Sequence, residues 1–293
     1  MPFRYVPILR TKAGEAAALE NLNAAQKDRI FPVFNVSEDP PATFATMMIK
    51  AWAQRPMALD GLYNLNFTGS SAAFVALFHQ LGQGGIPIIP AIECAGPPPN
   101  LGMAQPLIGT YGQGLVVKAT LAQIGTVSQW VQHQGWNNAI VDLVIDAGHI
   151  GQFAPAVIAS LVVNQCNQHV SAAAGWRSVS FVGASVPRDF GALPIGLTKV
   201  PRVEWTAWQA IHPLVHLPMN YGDYGIAHPD LEEPPGYVMA NATVSVKYTV
   251  DDHWLAIKGR QIGGANGIPM PQQYHEHAQL LVNNPQFGGV PNC

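Results

Sequence analysis

Short runs of β-branched and aromatic residues alternate along this chain with longer, Ala-rich runs whose apolar positions recur at helical spacing. Residues 5–9 (YVPIL) predict a strand, and residues 14–22 (GEAAALENL) a helix behind it. The second pair is a strand at 30–36 (IFPVFNV) and a helix from about 42 to 54. Residues 61–67 (GLYNLNF) alternate strictly, so they predict a third strand, with a helix over 70–81. A fourth strand is expected at 86–92, then a weaker helix after the Pro97-Pro98-Pro99 turn. The fifth unit is 115–120 with 126–134, and the sixth is 139–146 with 155–165. The seventh strand, 178–184, leads into a Pro/Gly-rich crossover and a short helix at 205–211. Residues 214–220 are expected to be the eighth strand.

Strands alternating with helices imply βαβ units, right-handed crossovers and a parallel sheet. Eight units in about 220 residues match a (β/α)8, TIM-like barrel. The rival, an open doubly wound sheet, would usually carry a Gly-rich phosphate fingerprint after an early strand, and this sequence has none. After Asn220 the pattern changes. Residues 244–249 and 254–258, joined by an acidic turn, predict an antiparallel hairpin, and a last helix is expected over 272–282. The expected organisation is a single barrel domain over 1–293, with 221–293 as a C-terminal hairpin and helix extension.

Composition narrows the function classes. Of 293 residues, 48% are hydrophobic and only 11% charged, with 15 basic against 18 acidic side chains and a net charge of −3. That hydrophobic content supports a large core and excludes general disorder. Slight acidity discourages a nucleic-acid partner, because phosphate contacts need clustered Lys and Arg. No apolar run reaches the roughly 18 residues of a membrane span, and the N-terminus lacks an export signal. Cys94, Cys166 and Cys293 are too few and too widely spaced for a disulfide framework or a zinc ribbon, and read as reduced thiols of a cytoplasmic protein.

In such a barrel, the carboxyl ends of the strands and the loops after them form the working face. Those positions hold Arg10, Lys12, Asn35, Glu38, Asn64, Asn66, Glu93, Lys118, Asp146, His149, Arg188, Asp189 and Asp223. Strand parity would turn Asn64 and Asn66 into the barrel. Asp142 and Asp146 share a face about 13–14 Å apart, too far for a carboxylate dyad, and Asp142 is expected to pair with Lys118 on the neighbouring strand. Asp146-Ala-Gly-His149 is the first candidate for chemistry, since the glycine lets a carboxylate and an imidazole share one rim. Glu93 and Asp223 would complete an acid–base or metal site with them. Mixed Glu/Asp/His ligation suits magnesium or manganese better than zinc, although nothing in the spacing demands a metal. Arg10, Lys12, Lys118 and Arg188, with Asn64 and Asn66, would meet an anionic group such as phosphate. Lys247, Lys258 and Arg260 read as solvated hairpin surface, and the tryptophans as helix packing.

The same segments carry a resemblance. Residues 5–15 (YVPILRTKAGE) with 30–34 (IFPVF), 143–149 (LVIDAGH), 221–224 (YGDY), and 247–249 (KYT) with Trp254-Leu255 resemble the beta-protein family of tailed phages and bacteria. The likeness covers nearly the whole chain. It implies a phage or bacterial setting and no particular activity. Members of that family run on past the point matching Cys293, so it also implies a further C-terminal segment.

Two function classes follow. In the first, the polar barrel mouth binds a small phosphate-bearing ligand and extends to its metal-assisted hydrolysis. In the second, the protein is a non-catalytic interaction or structural component of a phage or prophage assembly, or a homo-oligomer. A chain with 11% charge and a mean hydropathy of +0.12 favours the second.

Overall fold

The computed structural model describes residues 5–170, 174–230, 243–263 and 267–288. Its strands are β1 (Ile8–Arg10), β2 (Val33–Asn35), β3 (Met57–Asp60), β4 (Ile88–Glu93), β5 (Leu115–Thr120), β6 (Val141–His149), β7 (Ser178–Ala184), β8 (Gly196–Pro201) and β9 (Asn220–Asp223). All except β8 form one eight-stranded parallel sheet in the order β1-β2-β3-β4-β5-β6-β7-β9. The sheet curls back on itself. Tyr5 bridges both Ile30 and Tyr221, and the Val6 N–H donates to the Tyr221 carbonyl at 2.8 Å. This is the expected TIM-like barrel.

Outside it lie α1 (Ala13–Glu20), α2 (Ala24–Lys27), α3 (Phe44–Trp52), α4 (Leu62–Thr68), α5 (Ala72–Gln83), α6 (Pro98–Tyr111), α7 (Val127–His133), α8 (Pro155–His169) and α9 (Val203–Ile211). Strand parity divides the core. Ile8, Val33, Ala58, Ala91, Val116, Val144 and Val182 pack together with Tyr224 inside the barrel. Residues of the other parity, such as Phe34, Leu59, Val117, Leu143 and Phe181, are buried beneath the helices. With both faces covered, the strands read as nearly continuous apolar runs. Trp130, Trp136 and Trp208 pack against the helix-side core, as expected.

The third strand lies earlier than the alternation predicts. β3 is Met57–Asp60, buried at every position, and residues 62–67 of the expected strand lie in helix α4. A seven-residue run fits either period, and local groups decide the outcome. Asp60 Oδ1 accepts the Leu62 N–H at 2.9 Å, satisfying an orphan donor of the first helical turn. Gly69, at φ +70°, ends the helix in the left-handed conformation. Gly61 is required for space: a Cβ there would sit 2.5 Å from the Phe74 ring. The eighth barrel strand is also displaced, running over Asn220–Asp223 rather than 214–220.

The crossover after β7 contains a strand that its glycines and prolines conceal. β8 pairs antiparallel with β11 (His253–Gln261), which pairs in turn with β10 (Thr243–Thr249). The predicted hairpin is therefore part of a three-stranded sheet. Helix α10 (Met270–Val282) is fastened to it by Gln273, whose Oε1 accepts the Arg260 N–H at 2.7 Å. Among the described residues, no helix is long and apolar enough to cross a membrane. Cys94 and Cys166 are buried free thiols, and burial pushes them up to about 11 and about 12; Cys293 lies outside the described residues.

Candidate functional site

The apolar interior ends in a polar crown at the carboxyl ends of the strands. Two residues beyond the interior isoleucine, valines and alanines, the same parity brings in Arg10, Asn35, Asp60, Glu93, Lys118 and Asp146, and Tyr224 joins them from the end of β9. Lys118 is the hub. Its Nζ donates to Asp60 Oδ2 at 2.6 Å and lies 3.8 Å from Glu93 Oε1. Burial alone would lower the Lys118 pKa, but Asp60, Asp146 and Glu93 outweigh it and raise the value, so the group stays an ammonium. Burial raises the Glu93 carboxyl; Lys118 opposes that shift, and Asp60 and Asp146 add to it. The Glu93 side chain remains 45% exposed, the most open carboxylate contacting Lys118.

Asp146 is held from two sides. Its Oδ1 accepts the Gly148 N–H at 2.9 Å, and its Oδ2 accepts the Tyr224 hydroxyl at 2.5 Å. Gly148 has φ +61°, the left-handed turn that the Asp-Ala-Gly-His string requires. Burial, reinforced by Asp146, raises the Tyr224 pKa, keeping the phenol a donor. His149 sits beyond that turn and packs on His228 with ring centroids 4.7 Å apart, its Nε2 buried without a hydrogen-bond partner among the described residues. Burial, with His149 alongside, lowers the His228 pKa.

On the β1–β2 side the mouth opens into a cavity of about 290 Å³. It is lined by Arg10, Lys12, Asn35, Ser37, Glu38, Asp39, Pro41 and Tyr63. Asn64 supports its wall from outside the barrel. The Asn64 amide donates to the carbonyls of Ser37 and Glu38 at 2.8 and 3.2 Å, while the Tyr63 hydroxyl donates to Glu38 Oε1 at 2.7 Å. Arg10 Nη2 donates to the Asp230 carbonyl at 3.0 Å, and Arg188 Nη1 lies 2.5 Å from Asp230 Oδ2. The segment before residue 231 is thereby tied across the mouth.

Several expected roles change. Asn64 and Asn66 do not point into the barrel, because they lie on α4: Asn64 is buried behind the loop and Asn66 is exposed. Asp142 pairs with Arg177, not Lys118. It accepts from Arg177 Nε at 3.0 Å and Nη2 at 2.5 Å, at the amino end of the barrel. Register explains this, since Lys118 stands opposite Val144, one layer above Asp142.

Asp223 also leaves the expected constellation. Its parity is that of Tyr221, opposite to Tyr224, so it faces the helix layer. There it accepts from the Tyr5 hydroxyl at 2.6 Å, the Tyr221 hydroxyl at 2.8 Å and the Gly225 N–H at 2.9 Å. Arg202 lies 3.5 Å from it and also meets Glu204, whose other oxygen accepts from Ser185. Arg202 further donates to the carbonyls of Val250 and Asp251, joining the hairpin turn to the barrel wall. Sequence reasoning missed this network; the one available signal was an Arg-x-Glu pair opening a helix that otherwise lacks charge. Among the described residues, no group of three or more His, Cys, Asp or Glu could hold a metal ion.

Comparison with curated proteins finds no significant match. A family model described as Beta protein matches residues 5–293, nearly the whole length. With the YVPIL opening forming the barrel seam and the LVIDAGH string forming its rim, the chain belongs to the Beta protein family.

Proposed function

We propose that the barrel mouth binds a small anionic, phosphate-bearing ligand. The observation that carries this reading is the cavity of about 290 Å³ with Arg10 and Lys12 in its wall, close to the lower end of the roughly 300–1,000 Å³ range of ligand pockets. Two cations meet the anionic group, while Asn35, Ser37 and Tyr63 offer neutral hydrogen bonds and Glu38 and Asp39 accept from ligand hydroxyls. The crown extends the reading to hydrolysis. Glu93 is its acid, because burial favours the protonated form and the side chain is open to solvent. Asp146 and His149 position the rim, and Asp223 serves the barrel seam. One domain comprising the barrel and the C-terminal hairpin suits the same picture, since β8 belongs to a barrel connection and to the hairpin's sheet.

Calorimetric titration with inorganic phosphate, sugar phosphates, nucleotides and phosphodiesters tests the binding. Arg10→Ala or Lys12→Ala is expected to weaken it about 10- to 100-fold, the worth of one charged hydrogen bond. Glu93→Gln is expected to retain binding and lose turnover. Absence of binding across the panel would refute the reading. A non-catalytic role in an assembly draws on a different observation, the scarcity of charge on the outer helices.

A further inference from the structure

The charges of this protein are segregated. Helices α1 to α3 carry Glu15, Glu20, Lys27 and Lys50, with a Glu20–Lys50 ion pair at 2.6 Å on their surface. Helices α4 to α9, which cover the rest of the barrel, contain a single Asp, Glu, Lys or Arg: Glu204, which is fully buried. Low charge overall does not account for this, because the strand ends, loops and hairpin between and after these helices keep theirs. Ordinary solvated helix faces carry charge, and its depletion is the compositional mark of an interface core.

The wall is most apolar along α8. Val157 and Leu161, one turn apart, are 60% and 41% exposed; Phe153 before the helix and Leu214 beside it are 46% and 59% exposed. Leu214 is held there by Asn167 of α8, whose amide donates to its carbonyl at 3.0 Å. Ala156, Ser160 and Asn164 form a small-residue row that leaves a shallow depression beside the Val157–Leu161 ridge. On one flank, Ser128 of α7 donates to the His169 carbonyl at 3.1 Å; on the other, α8 packs against α9.

We infer that this wall, centred on α8, is the contact surface between two copies of the chain, paired about a two-fold axis. Charge permits this pairing. A surface bearing no charge gains nothing from a charged partner and meets its own copy without the repulsion that a charged patch would feel. Size agrees. At 1.5 Å per residue α8 is about 22 Å long, and with neighbouring helices about 8–10 Å apart the wall projects to roughly 500 Å². Side-chain relief raises the accessible area above that projection, toward the roughly 800 Å² per partner of a standard interface. A row of small residues beside an apolar ridge also gives the groove and knob that packed helices use.

Sedimentation velocity on the full chain tests the inference. The wild type is expected to be dimeric at tens of micromolar, with little change between low and high salt, since no ion pair contributes. Leu161→Lys and Leu161→Glu each place a charge on the axis and are expected to raise the dissociation constant at least about tenfold, with an unchanged circular dichroism spectrum because the site lies on the surface of the protomer. Mixing the two variants is expected to restore the dimer. A wild-type chain that stays monomeric throughout overturns the inference and assigns the wall to a different partner. A dimer unaffected by either substitution overturns it as well.

Discussion

Lys118 and Asp60 lie on strands two apart, β5 and β3, yet their side chains meet at 2.6 Å inside the barrel mouth. The strand between them makes this contact feasible: β4 places Ala91 in register with Asp60, and its small side chain leaves the span open. Lys118 and Asp60 side chains are 10% and 2% exposed, so removing one partner strands the other as a buried charge. Lys118→Met is therefore expected to lower stability by about 3–5 kcal/mol. Urea denaturation midpoints measure it, and the double variant Lys118→Met/Asp60→Leu is expected to recover much of the loss. A near-neutral single variant would mean that water, rather than Lys118, satisfies Asp60.

The barrel seam makes a second prediction. Tyr5 stacks on Tyr221 with centroids 5.9 Å apart, and its hydroxyl donates to Asp223 Oδ1 at 2.6 Å. Both tyrosine pKa values are raised, by burial first and by Asp223 next, so both phenols remain donors. Tyr5→Phe keeps the ring and removes one donor from a buried carboxylate, at a cost of about 1–3 kcal/mol. Hydrogen exchange should show where the loss falls. The Val6 amide, which bridges β1 to β9, is expected to exchange faster, while amides in β5 and β6 keep their protection. Uniform acceleration across the barrel would show that the seam has no separate opening.

The legible and hidden parts of the fold differ for physical reasons. The βα rhythm was readable because strands buried on both faces and amphipathic helices leave different periods, and residues 115–120 and 178–184 coincide with β5 and β7. Residues 61–67 were not readable, because seven residues fit both periods and the deciding groups, Asp60 as an acceptor and Gly69 as a left-handed stop, act from outside the run. β8 is specified by its neighbour β11 rather than by its own sequence. At the mouth, position at the strand ends placed Glu93, Lys118 and Asp146 together, since all three close strands whose register is fixed by buried alternation. Asp223 was misplaced because the expected strand began six residues too early and ended before it, leaving nothing to fix which face Asp223 takes. The Asp142–Arg177 and Arg202–Glu204 pairs depend on which loops meet, which no local pattern encodes.

Glu204 gives the chain a pH dependence of known sign. It is fully buried at the start of α9; Oε2 accepts from Ser185, and Oε1 accepts from Arg202 Nε at 3.3 Å. Burial raises its pKa, with Ser185 and Arg202 opposing the shift. The folded chain therefore holds this proton to a higher pH than the unfolded chain, whose glutamates titrate near about 4.3. Its contribution to stability is complete below that value and is lost as pH rises through the folded pKa, the reverse of an ion-paired carboxylate. Glu204→Gln fixes the neutral state, keeping Oε1 for Arg202 and an amide for the Ser185 oxygen. The variant should match the wild type in mildly acidic urea titrations and become relatively more stable as the pH approaches neutrality. Parallel stability curves for the two chains would mean that Glu204 stays ionised across the range and that Arg202, despite serving Asp223 as well, suffices to hold its charge.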